Sequence, residues 1–399
     1  MLKIRSPWIQ DIKIKALNLV DKEYTGNTPP TVFVGSKFAD LNKANVGILS
    51  PLENKEEAWK YDDPYHWYNN NYNINKIIEL RANLINARKN FSIFEVRNSN
   101  KFLDLAQEIA MSFKPSTIEV ELEKKLKAKI NLDNIHLPFG PGGEAKKIEA
   151  TENIKVNQKI EKVYYDTDLK SAEAIIDLNK IGIPEYKLSQ ILSIGITGLK
   201  YNRKLVPTRW SITATDDILG KNLIKEIKNY NTISNYRILF GNYFGNYYLI
   251  FLFPDAWSYE LFESSMPDQL PNIDHEIYTM TDYENYYGRK TYADNTVGGY
   301  YAARLSLLEY LRDNKIQASA LLLRFVTSEY SAPLGVFVVR QAVRKTISSQ
   351  IFYFNDKKIM LEFGKNLILR KFGYNVDNLL KKSILLNNIN KQRKIFEFT

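Results

Sequence analysis

The chain contains no cysteine in 399 residues, and this absence restricts its fold and chemistry more than any other feature. Without thiols it cannot build a disulfide framework, a thiolate zinc site, an iron–sulfur cluster or a cysteine nucleophile. Buried apolar cores must therefore stabilise the fold, and a chain of this length with 44% hydrophobic residues can supply them. The first residues lack a signal-peptide core and the apolar runs are too short to span a bilayer, so we expect a cytoplasmic protein without a membrane partner.

The charge is distributed unevenly along the chain, although the total is +10. Residues 255–294 contain nine acidic and two basic residues, whereas residues 357–399 contain ten basic and three acidic ones. The acidic block predicts either a solvated surface or a docking site for a partner protein. The basic tail predicts either a solvated surface or a surface that meets DNA or an acidic protein.

Hydrophobic periodicity predicts helices and strands that are interspersed without strict alternation, which indicates an α+β or mixed α/β fold with a C-terminal helical tail. The predicted helices are 74–90, one capped by Ser99, 119–129 (or an exposed arm), 168–180, 185–193, one opening at Asp216, 300–312, 336–347, 359–372 and 376–388. The predicted strands are 31–34, 161–166, 204–213, 320–326 and a hairpin formed by 236–240 and 247–253.

The polar segment 206–217 is a candidate phosphate site. If it is a strand, its period of two places Arg209, Ser211 and Thr213 on one face, where they can grip a phosphate or a carboxylate. The adjacent Asp216 and Asp217 can then hold a divalent cation or act as a base. Alternatively, the acidic pair only stabilises the start of a helix.

Two other segments have a functional and a structural interpretation. Gly142 and Gly143, followed by Lys146, supply backbone amides and an ammonium group for an anion cradle, or form a simple turn. Asp166 and Asp168 follow a predicted strand and can bind a metal, or cap the next helix. The three histidines have no metal-ligand spacing, so no metal site is expected from them.

The segment 288–304 combines glycines, aromatic residues and bases, which is typical of a nucleic-acid contact. Arg289 and Lys290 can bind phosphates, and the neighbouring tyrosines can stack on bases. Arg304 lies four residues after Tyr300 on one predicted helix face, so it is a further candidate for the same contact.

The last eight residues fit the pattern Gln-x-x-aliphatic-x-x-aromatic through Gln392, Ile395 and Phe398. One helical turn would place Ile395 and Phe398 on the same side as an apolar plug, with Gln392 at the rim of the receiving pocket. A peptide at a chain terminus is accessible to a partner, so the pattern predicts a docking peptide.

Several long strings show that the chain resembles the archaeal NreA family of DNA repair proteins. They are PPTVFVG (29–35), NVG (45–47), EKVYYDTDLK (161–170), LVPTRWSITA (205–214), GGYYAAR (298–304), TSEY (327–330) and PLG (333–335). The resemblance implies two homology regions packed together, here 1–285 and 286–388. It also implies that the peptide 389–399 docks on the sliding clamp PCNA through Gln392, Ile395 and Phe398.

The chain departs from this family pattern in two places. Many members carry a four-cysteine zinc finger, which a chain without cysteine cannot form. The docking motif ends in Thr399, where the fuller pattern has a second aromatic residue. The resemblance implies no established catalytic activity, so whether the protein is an enzyme stays open.

The sequence therefore supports a DNA repair factor, nucleoid-associated, that docks on PCNA and contacts DNA. The alternative is a nucleotide- or phosphate-handling enzyme centred on Arg209, Asp216 and Asp217, with a divalent cation or a nucleotide as its ligand. A third hypothesis is an adaptor whose acidic block binds another protein.

Overall fold

The computed structural model describes residues 22–36, 40–52, 56–127, 129–266 and 277–391. The chain divides into two compact units, of which the first comprises residues 1–219 and 331–337. The second comprises residues 220–330 and 338–399. Each unit contains a six-stranded mixed sheet, which confirms the predicted α+β class.

The sheet of the first unit has the strand order β1-β5-β6-β4-β3-β2. Its strands are β1 (Glu23–Thr28), β2 (Val32–Ser36), β3 (Lys43–Ser50), β4 (Ile85–Ser92), β5 (Ser116–Leu122) and β6 (Gly142–Ala150). Strands β4 and β6 pair in parallel, and the other neighbours pair antiparallel. Parallel neighbours need a long connection, and α3 lies within the segment that joins β4 to β6.

Some helices of the first unit pack on this sheet, and others pack on neighbouring helices. They are a 3-10 segment (Glu56–Asp62), α1 (Pro64–Asn69), α2 (Ile74–Ala82), α3 (Lys101–Met111), α4 (Gln158–Tyr165), α5 (Ser171–Lys180), α6 (Glu185–Ser193) and the start of α7 (Thr208–Ile227). Helix α3 contacts β2, β3 and β6 through a buried stripe that includes Leu103, Ala106 and Ala110. Its helical spacing of apolar residues is what places one face on the sheet.

The sheet of the second unit has the order β10-β9-β11-β8-β7-β12, with β9 and β11 parallel. Its strands are β7 (Tyr236–Tyr243), β8 (Asn246–Phe253), β9 (Tyr259–Ser265), β10 (Thr279–Glu284), β11 (Ser319–Val326) and β12 (Ile351–Phe354). Every residue of β8 is buried, as expected for a central strand covered on both faces.

The second unit contains the end of α7 and the helices that come after it in the chain. They are α8 (Val297–Asp313), α9 (Val336–Ile347), α10 (Lys357–Phe372), α11 (Asp377–Lys382) and α12 (Ile384–Lys391). Residues of α10, α11 and α12 join one core with β8 and β11. Gly364 permits this close packing, since a Cβ there would lie 2.5 Å from the ring of Phe251.

Five sequence predictions of secondary structure are wrong. The helix predicted over 74–90 ends early: Asn83 caps α2, and residues from Ile85 onward form strand β4, with Ile85 and Ala87 buried. Residues 116–122 form β5 rather than a helix or arm, with alternate residues buried. Residues 158–165 form helix α4, capped by Asn157, where a strand was predicted. Asn100, not Ser99, caps α3, since its side-chain oxygen accepts from the backbone N–H groups of Phe102 and Leu103.

The fifth wrong prediction, a strand at 204–213, has the largest consequence for function. Residues 208–213 begin helix α7 instead of forming a strand, and the helix continues through Asp216 and Asp217. The first helical hydrogen bonds run to the carbonyl of Pro207, which accepts from the N–H groups of Trp210 and Ser211. The period is therefore 3.6, so Arg209 and Ser211 do not share a face, and the acidic pair does not cap the helix.

The remaining predicted elements are confirmed in kind. These are the strand near 31–34, the helices near 102–111, 171–180, 185–193, 297–313, 336–347 and 357–372, the strand 319–326 and the hairpin of β7 and β8. The predicted helix 376–388 is divided into α11 and α12 at Ser383. Among the described residues, no helix is both long enough and apolar enough to cross a membrane.

Candidate nucleic-acid interface

Four of the nine acidic residues of the block 255–294 make hydrogen bonds or ion pairs inside the second unit. Glu260 is fully buried and accepts from the Oγ of Ser383 at 2.5 Å and from the N–H groups of Ile384 and Leu385 at 3.0 Å. Burial raises the pKa of Glu260, and these hydrogen bonds oppose the shift. A carboxylate at this position satisfies the open N–H groups at the start of α12. Glu260 therefore holds the last described helix against the sheet.

Three more carboxylates of the block are paired inside the unit. Glu263 meets Arg324 at 2.6 Å, and Glu284 meets Arg304 at 2.7 Å. Asp282 accepts from the N–H and the Oγ of Thr296 at 2.8 and 2.9 Å. For these residues and Glu260 the expectation of a solvated acidic surface is wrong, because Glu263, Asp282 and Glu284 are paired with arginines and Glu260 is buried and hydrogen-bonded.

Asp255 is half-buried and Asp294 is exposed, and Asp268, Asp274 and Glu276 lie outside the described residues. The adaptor hypothesis therefore stays a prediction.

Arg289 fixes the loop that follows β10. Its guanidinium donates to the carbonyls of Tyr283 and Tyr292, both at 2.9 Å, and lies 3.1 Å from Asp282 Oδ1. These contacts close residues 283–292 into a compact loop. Arg289 therefore acts as a positioning residue within the protein, and its predicted contact with phosphate is replaced by contacts to its own loop.

Three tyrosines are displayed on this loop, which we call the tyrosine loop (residues 285–292). Tyr287 is 89% exposed, and Tyr286 and Tyr292 are also exposed. Lys228 Nζ lies 4.1 Å from the ring centroid of Tyr286, and the side chain of Lys290 is exposed. Exposed aromatic rings can stack on bases while neighbouring ammonium groups bind the phosphates of the same strand. The loop thus has the chemistry of a nucleic-acid contact.

Arg304 does not belong to that surface. It is 1% exposed, and its guanidinium lies over the rings of Tyr300 and Tyr301 at 5.5 and 5.3 Å. Glu284, its partner, also accepts from Trp257 Nε1 at 3.1 Å. Arg304 is therefore part of the core. Gly299, on the same helix, is required by packing on another pair, since a Cβ there would lie 2.2 Å from Glu263 Oε1.

The other predicted site residues of the first unit lie apart in its elements. Gly142 and Gly143 open β6 rather than a flexible loop, and Lys146 pairs with Glu121 at 2.5 Å on an exposed face. Asp166 Oδ1 accepts from the N–H groups of Asp168 and Leu169, both at 3.0 Å. That geometry is an Asx turn. It differs from the structural alternative for this pair, because Lys170 precedes α5 and no side chain caps that helix.

The residues of the predicted phosphate site are distributed along α7. Ser211 is buried and donates to the carbonyl of Thr208 at 2.9 Å, and Asp216 is fully buried. Arg209 and Asp217 are half-buried.

The charge of Arg209 acts on a nearby histidine: burial lowers the pKa of His136, and the positive charge of Arg209 lowers it further. Within the described ranges, no group of three or more histidines or carboxylates is arranged to hold a metal ion. The enzyme hypothesis stays a prediction.

The terminal docking motif cannot be placed in this way. Gln392, Ile395 and Phe398 lie outside the described residues, which end at Lys391. Lys391 ends helix α12, the helix whose start is bound by Glu260. The predicted docking peptide, residues 389–399, therefore begins within a helix whose start is bound to the second sheet.

Sequence reasoning missed a buried polar cluster in the first unit. Asp62 Oδ1 lies 2.5 Å from Arg81 Nη1, and its other oxygen accepts from Gln190 Nε2 at 2.9 Å. Lys187 Nζ donates to the carbonyl of Pro30 at 2.9 Å. Burial lowers the pKa of Lys187 to about 7, although the charge of Asp62 opposes the shift. Nothing in the local sequence distinguishes Lys187 from a surface lysine, because its burial depends on residues distant along the chain.

Lys187 makes stability depend on pH in a way that one substitution should remove. The folded state releases this proton near pH 7, whereas the unfolded state keeps it to about pH 10.4. The free energy of unfolding should therefore rise with pH between these values, by about 1.4 kcal/mol per pH unit, and this contribution should be lost as the pH falls through 7. Urea denaturation of the wild type and Lys187→Met at pH 7, 8 and 9 measures the difference.

Lys180→Met is the matched control, since this lysine is on α5 with a 65% exposed side chain. It should show the same pH dependence as the wild type. An unchanged pH dependence in Lys187→Met would contradict the buried, easily deprotonated lysine.

Comparisons with known proteins agree over nearly the whole chain. The family model described as archaeal Nre, N-terminal, matches residues 6–272, and the archaeal Nre, C-terminal model matches residues 284–398. DNA repair protein NreB of Archaeoglobus fulgidus is 33% identical over 380 residues, which are 95% of this chain and 93% of that protein. DNA repair protein NreA of the same organism is 36% identical over 331 residues, which are 83% and 82% of the two chains. DNA repair protein NreA of Haloferax volcanii is 33% identical over 331 residues, or 82% and 78%. No solved structure matches the chain significantly.

Proposed function

Because the chain belongs to the archaeal Nre family, we propose that it acts in DNA repair, docks on the sliding clamp PCNA and contacts DNA with the tyrosine loop. The relatives that it matches are named DNA repair proteins. Their similarity extends over both homology regions, which we place at 1–285 and 286–388, with 389–399 as the docking peptide. Clamp docking raises the concentration of the protein at DNA without any additional contact to the DNA itself.

The observation that carries the DNA contact is the tyrosine loop. Tyr287 points its ring to solvent from a backbone that Arg289 holds in place, so stacking on a base costs little ordering of the protein. Lys228 and Lys290 provide charge for the phosphates. Since the nearby carboxylates Asp282 and Glu284 are buried and paired, they do not repel a polyanion as free surface charges would.

Alanine substitution of Tyr286 and Tyr287 together tests this contact. Base stacking on an aromatic side chain contributes about 1–3 kcal/mol per base, so the affinity for a fluorescent single-stranded oligonucleotide should fall by at least about tenfold. Lys290→Ala should weaken binding more modestly and reduce the salt dependence by about one phosphate contact. Fluorescence anisotropy at several salt concentrations measures both effects.

Tyr353→Ala is the matched control, because Tyr353 is 57% exposed on β12 of the same unit. It should bind DNA as the wild type does. Equal affinity of the wild type and the Tyr286/Tyr287 variant would exclude the loop as a DNA contact. A wild type that binds no DNA at any salt concentration would exclude direct DNA contact altogether.

A further inference from the structure

We propose that the first unit carries a second binding surface, which takes single-stranded DNA on two exposed tyrosines and a group of lysines. We call it the lysine–tyrosine surface and define it by Tyr165, Tyr201, Lys162, Lys200 and Lys204. The proposal rests on the proposed function in one respect, that the protein meets DNA at all. Its residues belong to the first unit, whereas the tyrosine loop belongs to the second.

Two distant segments form this surface, and Arg203 joins them. Its guanidinium donates to the carbonyl of Asp166 and to that of Gly198, both at 2.9 Å. It also lies 5.3 Å from the ring centroid of Tyr164. Arg203 is buried, so these contacts are part of the protein interior. The end of α4 and the turn at 198–203 are therefore fixed side by side.

Further hydrogen bonds strengthen the same junction. The N–H of Lys200 donates to the carbonyl of Thr167 at 3.0 Å, and the N–H of Leu205 donates to that of Ile93 at 2.7 Å. Arg97 Nε donates to the carbonyl of Arg203 at 2.9 Å. The segment 93–97 thus borders the surface as a third element. A rigid backbone of this kind presents side chains with little loss of freedom on binding.

The tyrosines of this junction are not used by the core. Tyr165 is 72% exposed and Tyr201 is 69% exposed. Phe94, on the bordering segment, is also exposed, and the guanidinium of Arg97 lies 4.4 Å from its ring centroid. Single exposed aromatics are common on protein surfaces, but three on segments tied together by hydrogen bonds indicate a binding surface.

The charge of the junction favours an anionic ligand. Residues 158–170 and 198–205 contain six basic and three acidic residues. Lys162, Lys200 and Lys204 are exposed, and none makes an ion pair with any residue that the structure describes. One of the three acids, Asp166, has an oxygen engaged in capping its own turn. The ammonium groups are therefore available for phosphates.

The combination indicates single-stranded DNA rather than a protein or a duplex. Lysine is depleted in protein–protein interfaces, whereas lysines beside exposed aromatic rings are typical of surfaces for single strands. A paired duplex hides the faces of its bases, so tyrosine rings gain little from it. Unpaired bases offer those faces to Tyr165 and Tyr201 while the lysines bind the backbone.

The double variant Tyr165→Ala/Tyr201→Ala tests the proposal in the full-length chain. Its affinity for a fluorescent single-stranded oligo-dT should fall by about tenfold or more, whereas a hairpin duplex of equal length should bind within twofold of wild type. Tyr165→Phe/Tyr201→Phe keeps both rings and should bind the single strand within twofold of wild type. Thermal unfolding of each variant confirms that the exposed substitutions leave the fold intact.

The outcomes separate this proposal from the proposed function. If the Tyr165/Tyr201 alanine variant binds as the wild type does while the Tyr286/Tyr287 variant is weakened, the lysine–tyrosine surface is overturned and the proposed function stands. An equal loss on the single strand and on the duplex would overturn the single-strand assignment. If the wild type binds neither, direct DNA contact and this surface fail together.

Discussion

Replacing Ile395 and Phe398 together with alanine should abolish docking on the sliding clamp, with a loss of affinity of about a hundredfold or more. Apolar anchors that fill pockets at the centre of an interface each contribute about 2 kcal/mol or more, and the motif has no second aromatic residue that compensates. Titration of labelled clamp with the full-length protein measures the loss. DNA affinity in the absence of the clamp should not change, because the docking peptide is separate from the tyrosine loop in the sequence.

Phe396→Ala is the matched control for this experiment. Phe396 is an aromatic residue of the same peptide but occupies a position that the motif leaves free. We expect clamp affinity within about threefold of the wild type, well under 1 kcal/mol. A loss at Phe396 as large as that at Phe398 would contradict the spacing on which the docking peptide was identified, and so would undiminished binding of the double variant.

Arg304→Ala should destabilise the second unit by about 3–5 kcal/mol, the largest stability effect that we expect of any single substitution here. The side chains of Arg304 and Glu284 are 1% and 0% exposed, so the truncation leaves a buried carboxylate without its ion-pair partner. Urea denaturation followed by tryptophan fluorescence suits this test, since Trp257 Nε1 donates to the same carboxylate.

A second substitution separates the lost ion pair from lost packing. In Arg304→Met/Glu284→Gln the buried charge is absent, an acceptor for Trp257 remains and most of the side-chain volume is kept. At least half of the lost stability should return. Arg312→Ala, at a side chain that is 37% exposed and paired with Asp313, should change stability by under about 1 kcal/mol. A double variant no more stable than Arg304→Ala would show that packing on Tyr300 and Tyr301 dominates.

Hydrophobic periodicity predicted the type of secondary structure correctly where one face of an element is apolar over several helical turns or along a whole strand. Helix α3 and strand β8 are such elements, and both form as predicted. It failed at 206–213, where a short polar segment fits either period. There the local residues do not decide between the two periods. The helix is stabilised by buried residues later in α7, such as Leu219, Leu223 and Ile227, which lie outside the short segment.

The candidate site shows a second limit of prediction from sequence. Arg289, Lys290 and Arg304 are all basic residues near tyrosines, and composition gave them the same role. In the structure their surroundings differ, and so do their roles. Lys290 is exposed, Arg289 fixes its own loop and Arg304 is buried beside Glu284. Four carboxylates of the acidic block, Glu260, Glu263, Asp282 and Glu284, show the same limit, because a count of charges does not record which side chains are bound inside the fold.

Ultraviolet cross-linking of the full-length protein to a single-stranded oligonucleotide, with the adducts located by mass spectrometry, tests the central claim most directly. The DNA contact that we propose predicts adducts on the peptide containing Tyr286 and Tyr287, and their loss in the presence of excess unlabelled strand. Adducts confined to peptides outside the tyrosine loop would contradict it.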